Sequence, residues 1–389
     1  MHLFFLLFPF AVALLGRGVV DGSLSACAVG GEWEDDKSQH HNLRVQAVAR
    51  TSLAVVKEKE RKKILDDWHR EACVAETAMH SCYARGDEKR AAMLEGRRWR
   101  PKSSACRSFR PADFLLHMQG RKLLLYGDSV TMQVWQALVC ATSSVADAVV
   151  DIDWFRHNAS TQLYYNDQTC PFGAEHCHLH GGTAHFRGFN VSLTYKLFGF
   201  YERIANPRNS APLYNAYVPG LLAEIATTNS LGQGDVLVTN FGLHAHRRGE
   251  YRERLTNLAK DHRERAAVGG GFPRVFFLET FPQHFFGPSG YYDLVEREDA
   301  VDMICHKLPE ANRSTSRALD WKNTMAREIL AGGGPEVIPV AEALRSQWDA
   351  HVQLSKVVNM AQADCTHWCS PSGVFTFVLT MLYNAVGFE

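Results

Sequence analysis

Two short motifs carry the residue types that acyl transfer needs. The run from Lys122 to Ser129, Lys-Leu-Leu-Leu-Tyr-Gly-Asp-Ser, reads as a buried strand that breaks at Gly127 and presents Ser129 where a helix begins. The run from Asp364 to Cys369, Asp-Cys-Thr-His-Trp-Cys, supplies His367 with a carboxylate three residues before it. A serine hydroxyl is a poor nucleophile alone. It needs a base within hydrogen-bond reach and a third group that fixes the tautomer of that base. Ser129, His367 and Asp364 are therefore the expected nucleophile, base and orienter. The first amides of the helix that Ser129 opens are expected to face the oxyanion formed on attack. Gly-Asp-Ser is also ordinary turn chemistry, and Asp-x-x-His often caps a turn. The co-occurrence of the two motifs gives the reading its weight.

Other residues are candidates to support that chemistry. Asn240 ends the run Asp235 to Asn240, and its amide is expected to donate to the oxyanion. The rival reading of Asn240 is an Asx-turn closing the strand. Gly242 lies beside it, and His244 and His284 follow strand ends, where they are candidate substrate contacts against the commoner structural histidine. His176, Cys177, His178, His180 and His185 invite a zinc reading. Their spacing has no matching second half, and an oxidising compartment favours a Cys170–Cys177 disulfide. No metal is expected.

The elements that must position these residues alternate. Leu123 to Tyr126 is continuously apolar, as a central parallel strand covered on both faces must be. Val130, Val134 and Leu138 then follow at helical spacing. Further strands are expected at Asp235 to Asn240, Arg274 to Leu278 and Glu336 to Val340, with helices at about Arg247 to Ala267 and Ser316 to Ala331. Such alternation predicts a mostly parallel sheet with helices on both faces and a site beyond the carboxyl ends of its strands. Ser129, Asn240 and Glu279 fall at such ends. The charged stretch Lys57 to Asp67 reads as a solvated helical face.

Composition sets the compartment. The chain has 389 residues, 46% of them hydrophobic and 22% charged, so it is globular. Lys plus Arg equals Asp plus Glu at 42 each, and no global field argues for nucleic acid. Leu3 to Leu15 is apolar and shorter than a spanning helix, which favours a cleaved signal over an anchor for residues 1–26. The membrane is expected as a partner only if that segment stays uncleaved. Ten cysteines then read as up to five disulfides, and sequons at Asn158, Asn190 and Asn312 fit a lumenal or extracellular chain. Cys27, Cys73, Cys82 and Cys106 point to a disulfide-held lobe over residues 27–115, ahead of a catalytic domain over 116–389. Cys365 and Cys369 bracket His367, and bridges at both would tie its loop at two points.

These motifs resemble the PC-esterase (trichome birefringence-like) family. Arg98, Trp99, Pro101, Cys106 and Gly120 resemble its approach to the Gly127-Asp128-Ser129 motif, with Trp135 and Cys140 after it. Asp235 to Gly242 and Thr280 to Phe285 are similar to later blocks, and Asp364 to Pro371 matches its C-terminal signature most closely. Cys27, Gly31 and Trp33 are similar to its opening. The family's Arg-Asn-Gln after the serine is replaced here by Met132-Gln133-Val134, and Phe281 stands for a serine. The resemblance implies an SGNH-hydrolase-like α/β/α sandwich with a mostly parallel sheet. It implies O-acetyl transfer to a polysaccharide or glycan hydroxyl in the Golgi lumen, or by a secreted protein. Ser129 would carry the acetyl group, with His367 as base, Asp364 as its orienter and Asn240 as oxyanion donor. No bound cofactor is expected; an acetyl donor such as acetyl-CoA would be the co-substrate. The rivals are a carbohydrate acetylesterase with the same triad and a glycan-binding protein that has lost activity.

Overall fold

The computed structural model describes residues 24, 27–28, 31–35, 88–158, 163–166, 177–198, 219–245, 247–285, 289–291, 304–308, 320–354, 363–370 and 372–387. In chain order the strands and helices are β1 (Glu32–Asp35), α1 (Glu88–Gly96), β2 (Arg97–Arg100), α2 (Pro111–His117), β3 (Lys122–Gly127), α3 (Ser129–Ser143), β4 (Val149–Asn158) and β5 (Leu163–Asn166). They continue with β6 (Cys177–Phe186), β7 (Val191–Leu197), α4 (Leu221–Thr228), β8 (Val236–Thr239), α5 (Arg248–Val268), β9 (Arg274–Leu278) and α6 (Trp321–Leu330). The last are β10 (Glu336–Ile338), α7 (Ala341–Leu344), β11 (His351–Leu354), β12 (Ala363–Trp368) and α8 (Gly373–Val386).

Eight strands form one sheet in the order β10-β9-β8-β3-β7-β6-β4-β5. From β10 to β7 every pair is parallel, whereas β7, β6, β4 and β5 pair antiparallel. The sequence expectation of parallel strands thus holds for one half, and an antiparallel extension is added beyond β7. Side chains of β3 alternate between two apolar cores, Leu123 and Leu125 into one and Leu124 and Tyr126 into the other. That period-2 division is what a strand between two helical layers requires. One layer holds α2, α3 and α8, and the other α4, α5 and α6. The result is an α/β/α sandwich of SGNH-like type. Of the second layer, α5 at Arg248–Val268 lies within a residue of its expected bounds at both ends, and α6 at Trp321–Leu330 falls inside the expected stretch, whose first four residues lie outside the described residues.

The described part of the N-terminal region shares the main core. Ala91, Leu94, Cys27 and Ala28 pack in the same apolar cluster as Val374 and Phe377 of α8. Leu24, inside the expected 1–26 targeting segment, is buried in that cluster too. Trp33, Trp99 and Phe377 form a triangle with ring centroids 5.2–5.8 Å apart. Cys27 is bridged to Cys106 and Cys305 to Cys365, and Cys140 and Cys369 are also disulfide-bonded. The stretch Lys57 to Asp67 and the proposed Cys170–Cys177 bridge lie outside the described residues, apart from the backbone of Cys177.

Candidate active site

Ser129 owes its place to its two preceding residues. A side chain at Gly127 would collide with Thr131, so the turn from β3 into α3 is as tight as glycine allows. Asp128 is the N-cap of α3, with Oδ1 accepting from the amides of Val130 and Thr131, each at 3.1 Å. Those two amides are thereby taken, which narrows the expected oxyanion donors of the helix to the N–H of Ser129 itself. Asp128 is buried, and desolvation holds its carboxyl above the usual aspartate range, against the hydrogen bonds it accepts.

His367 comes from the β11–β12 hairpin, at the other end of the chain. Its Nε2 lies 2.8 Å from Ser129 Oγ and its Nδ1 2.9 Å from Asp364 Oδ2. Asp364 Oδ1 also accepts from the backbone N–H of Thr366 and His367, at 3.1 and 3.0 Å. The carboxylate therefore shapes the turn and fixes the ring at once. With Nδ1–H directed at Asp364, Nε2 is left as the acceptor for the serine proton. Side-chain exposure is 24% for His367 and 20% for Asp364, and Ser129 is half-buried, so solvent and substrate have access. Both Cys365 and Cys369 are disulfide-bonded, which ties the base-bearing segment on either side of the ring. The arrangement has the geometry of a nucleophile, a base and its orienter.

The hairpin is held from several sides. The carboxamide of Gln133, on α3 one turn beyond Ser129, donates to Trp368 O at 2.9 Å and accepts from Trp368 N at 3.2 Å. Arg97 forms a two-point pair with Asp349 at 2.8 and 2.9 Å, and Arg90 donates to the carbonyls of Asp349 and His351. The region around β2 thus supports the segment that carries His367. Neither Gln133 nor these arginines was singled out as a site residue from sequence. Gln133 was visible only as a departure from a family pattern.

Other expected site residues take different roles. Asn240 is 1% exposed; its Nδ2 donates to the carbonyls of Leu278 (2.8 Å) and Glu279 (3.1 Å), and its Oδ1 accepts from Gly242 N (3.3 Å). Both amide hydrogens are committed to β9, so the expected oxyanion donor is instead the Asx-turn that closes β8. Gly242 is buried and has no room for a side chain beside Thr280. His244 is exposed. Glu279, at the end of β9, is fully buried and bonds Arg327 at 2.5 Å and the amides of Val340 and Ala341 at 2.9 Å.

His284 is not a substrate contact: it is 0% exposed. Its Nε2 faces Arg345 O at 2.9 Å and its Nδ1 faces His351 Nε2 at 2.6 Å, while His351 Nδ1 faces His367 O at 3.1 Å. Burial pushes His284 down to about 4 and His351 well below the ordinary histidine value. Two neutral imidazoles hold two ring protons for three contacts, so near neutral pH one contact is made without a proton. Of the His and Cys cluster for which no metal was expected, His185 is exposed and bonds Ser192 Oγ at 2.9 Å, while His176 and the side chains of residues 177–180 lie outside the described residues. Among the described residues no three His, Cys, Asp or Glu side chains converge to hold a metal.

Residues 107–174 match the model of the PC-Esterase family, described as a GDSL/SGNH-like acyl-esterase family found in Pmr5 and Cas1p. The match includes Ser129 and α3 and ends before Asp364 and His367. No curated protein matches the chain. The serine-bearing segment answers to that family model, and the surrounding fold is an SGNH-like sandwich.

Proposed function

We propose that this protein is a serine-dependent acyltransferase that moves an acetyl group onto a glycan hydroxyl through an acyl-enzyme on Ser129. The observation that carries the reading is the unbroken series Ser129 Oγ, His367 Nε2, His367 Nδ1 and Asp364 Oδ2, with links of 2.8 and 2.9 Å. In the first half-reaction Ser129 Oγ bonds to the acetyl carbonyl carbon as its proton passes to His367 Nε2. The oxyanion so formed meets the Ser129 N–H, where the amide end of α3 also favours negative charge. Collapse breaks the bond to the donor's leaving group, which takes the proton from His367. In the second half-reaction a sugar hydroxyl gives its proton to His367 and attacks the acetyl-serine. The ester passes to the sugar, and Ser129 recovers the proton. Asp364 holds the ring and stabilises the imidazolium at each stage. A donor of the acetyl-CoA type serves as co-substrate, and no metal enters these steps.

Residues 116–389 are proposed as the catalytic unit, with the 27–115 region as its support. Disulfides fit an oxidising compartment of the secretory pathway, and a Golgi or secreted location extends that reading. No helix among the described residues is long and apolar enough to cross a membrane. Asn190 is exposed in the turn between β6 and β7, where a glycan has room.

A second reading is hydrolysis, in which water replaces the sugar. The acyl-esterase description of the family and the partial exposure of His367 favour it. Intact mass of the deglycosylated wild type and of Ser129→Ala, after incubation with an acetyl donor, separates the readings. An acetyl adduct on wild type alone, discharged faster by added glycan than by water, is the expected result. Discharge by water at the same rate with or without glycan assigns the esterase. No adduct with any donor sinks the covalent route.

A further inference from the structure

The serine and the histidine are contributed by segments 238 residues apart, so something must hold α3 and the β11–β12 hairpin in register. The turn around His367 is shaped within the hairpin, by Asp364 Oδ1 on two amides and by His351 Nδ1 facing the His367 carbonyl. Those contacts fix the turn, not its distance from Ser129. Gln133 reaches across. It is 2% exposed, sits four residues after Ser129 on the same helix face, and bonds both polar groups of the Trp368 peptide. The side chain takes the place a neighbouring strand would have, offering one donor and one acceptor to a single residue. Trp368 directly follows His367, and its ring is 0% exposed against His351 at 3.9 Å, so the peptide cannot shift without moving the core.

We propose that Gln133 is a positioning residue: its carboxamide locks the Trp368 peptide to the helix that carries Ser129 and so holds His367 Nε2 within hydrogen-bond reach of Ser129 Oγ. The proposal rests on the acyl-transfer reading of that pair. Only a carboxamide of this length meets both demands. Glutamate lacks the hydrogen for Trp368 O and sets a carboxylate oxygen against that carbonyl. Asparagine is one methylene short, and methionine keeps the volume but neither bond. The replacement of a family Arg-Asn-Gln by Met132-Gln133-Val134 then leaves a longer amide at the position that faces the hairpin. Met132 itself packs against the main core.

The test compares full-length wild type, Gln133→Met and Gln133→Glu with an aryl acetate and with an acetylated sugar. A displacement of the base by about 1 Å is worth on the order of a hundredfold in rate. We therefore expect kcat per folded molecule to fall about tenfold to a hundredfold in Gln133→Met, with KM within about threefold. Thermal melts report the folded fraction, so a loss of fold is not counted as a loss of alignment. The second readout needs no turnover: the nitrogen-15 signal of His367 Nε2, which accepts from Ser129 Oγ. It should move in Gln133→Met toward its position in Ser129→Ala. Unchanged kcat per folded molecule together with an unchanged signal would overturn the proposal. If the wild type turns over no ester, the acyl-transfer reading fails, and the Nε2 signal alone still decides whether Gln133 holds the ring at Ser129.

Discussion

Two histidine sites meet at one peptide and do opposite things. His367 presents its ring to Ser129 and Asp364, partly in solvent, with a carboxylate against its Nδ1. The His284–His351 pair lies on the other side of the His367 carbonyl, fully buried and ended by two carbonyls. Its rings face each other and two carbonyls rather than a carboxylate, and burial disfavours its charge. The same side chain is thus open to proton exchange with a serine in one place and a neutral structural link in the other. What differs is the partner and the water, not the residue.

Breaking the first site should have the largest effect. His367→Ala or Ser129→Ala is expected to lower kcat by about 10⁵- to 10⁶-fold with little change in stability, because neither side chain is deeply buried. Initial rates on an activated acetate ester, beside denaturant melts, check this; a loss under about tenfold would remove His367 from the role of base. Asp364→Asn keeps the shape but loses the charge that fixes the tautomer, and about 10⁴-fold in kcat is expected. Its stability should change little, since an amide oxygen at this position still accepts from the N–H groups of Thr366 and His367.

The second site is sharpened by pH rather than by rate. The folded value of His284 is below its unfolded value of 6.5, at about 4. Between those limits the unfolded chain binds the proton and the native chain does not, so stability falls as pH falls from 6.5 toward 4. Over that window the loss reaches about 3 kcal/mol for His284, taken as 1.36 kcal/mol per unit. Urea melts at pH 6.5, 5.5 and 4.5 should show the decline, and His284→Gln should flatten it. A wild type with level stability across that range would contradict the buried, neutral pair.

The smallest effect is expected at the helix that carries the nucleophile. Asp128→Ala removes the N-cap of α3 and should cost about 1 kcal/mol, while Asp128→Asn, which still accepts from the two amides, should cost less. The same melts resolve the two. If Asp128→Asn matches Asp128→Ala, the charge rather than the cap holds the start of the helix.

Much of the parallel half of the sheet was legible because its strands are short apolar runs separated by longer polar or mixed stretches. Arg274–Leu278 matches its expected bounds, and β3 extends the expected Leu123 to Tyr126 by one residue at each end. The antiparallel half was not foreseen. Its long β4 and β6 run Val149–Asn158 and Cys177–Phe186, where charged and histidine residues blur the alternation, and β6 carries Gly182 to admit the ring of Trp135. Helix α8 was missed for the opposite reason. Gly373–Val386 is apolar on most faces and buried over most of its length, so no charged face marks it as a helix between loops.

By itself the sequence determined the chemical types: a serine at a strand-to-helix turn, an Asp-x-x-His segment, ten cysteines and alternating strands and helices. Local spacing is enough for these, because turns, caps and helical faces are set by neighbours within a few residues. Tertiary structure decided which of the candidates meet. It brought His367 to Ser129, turned both hydrogens of Asn240 onto β9, buried His284 against His351 and set Gln133 across from Trp368. Those outcomes depend on contacts between residues 38 to 238 positions apart. Burial and the orientation of a carbonyl or a carboxylate, which no short window of sequence contains, fixed each of them.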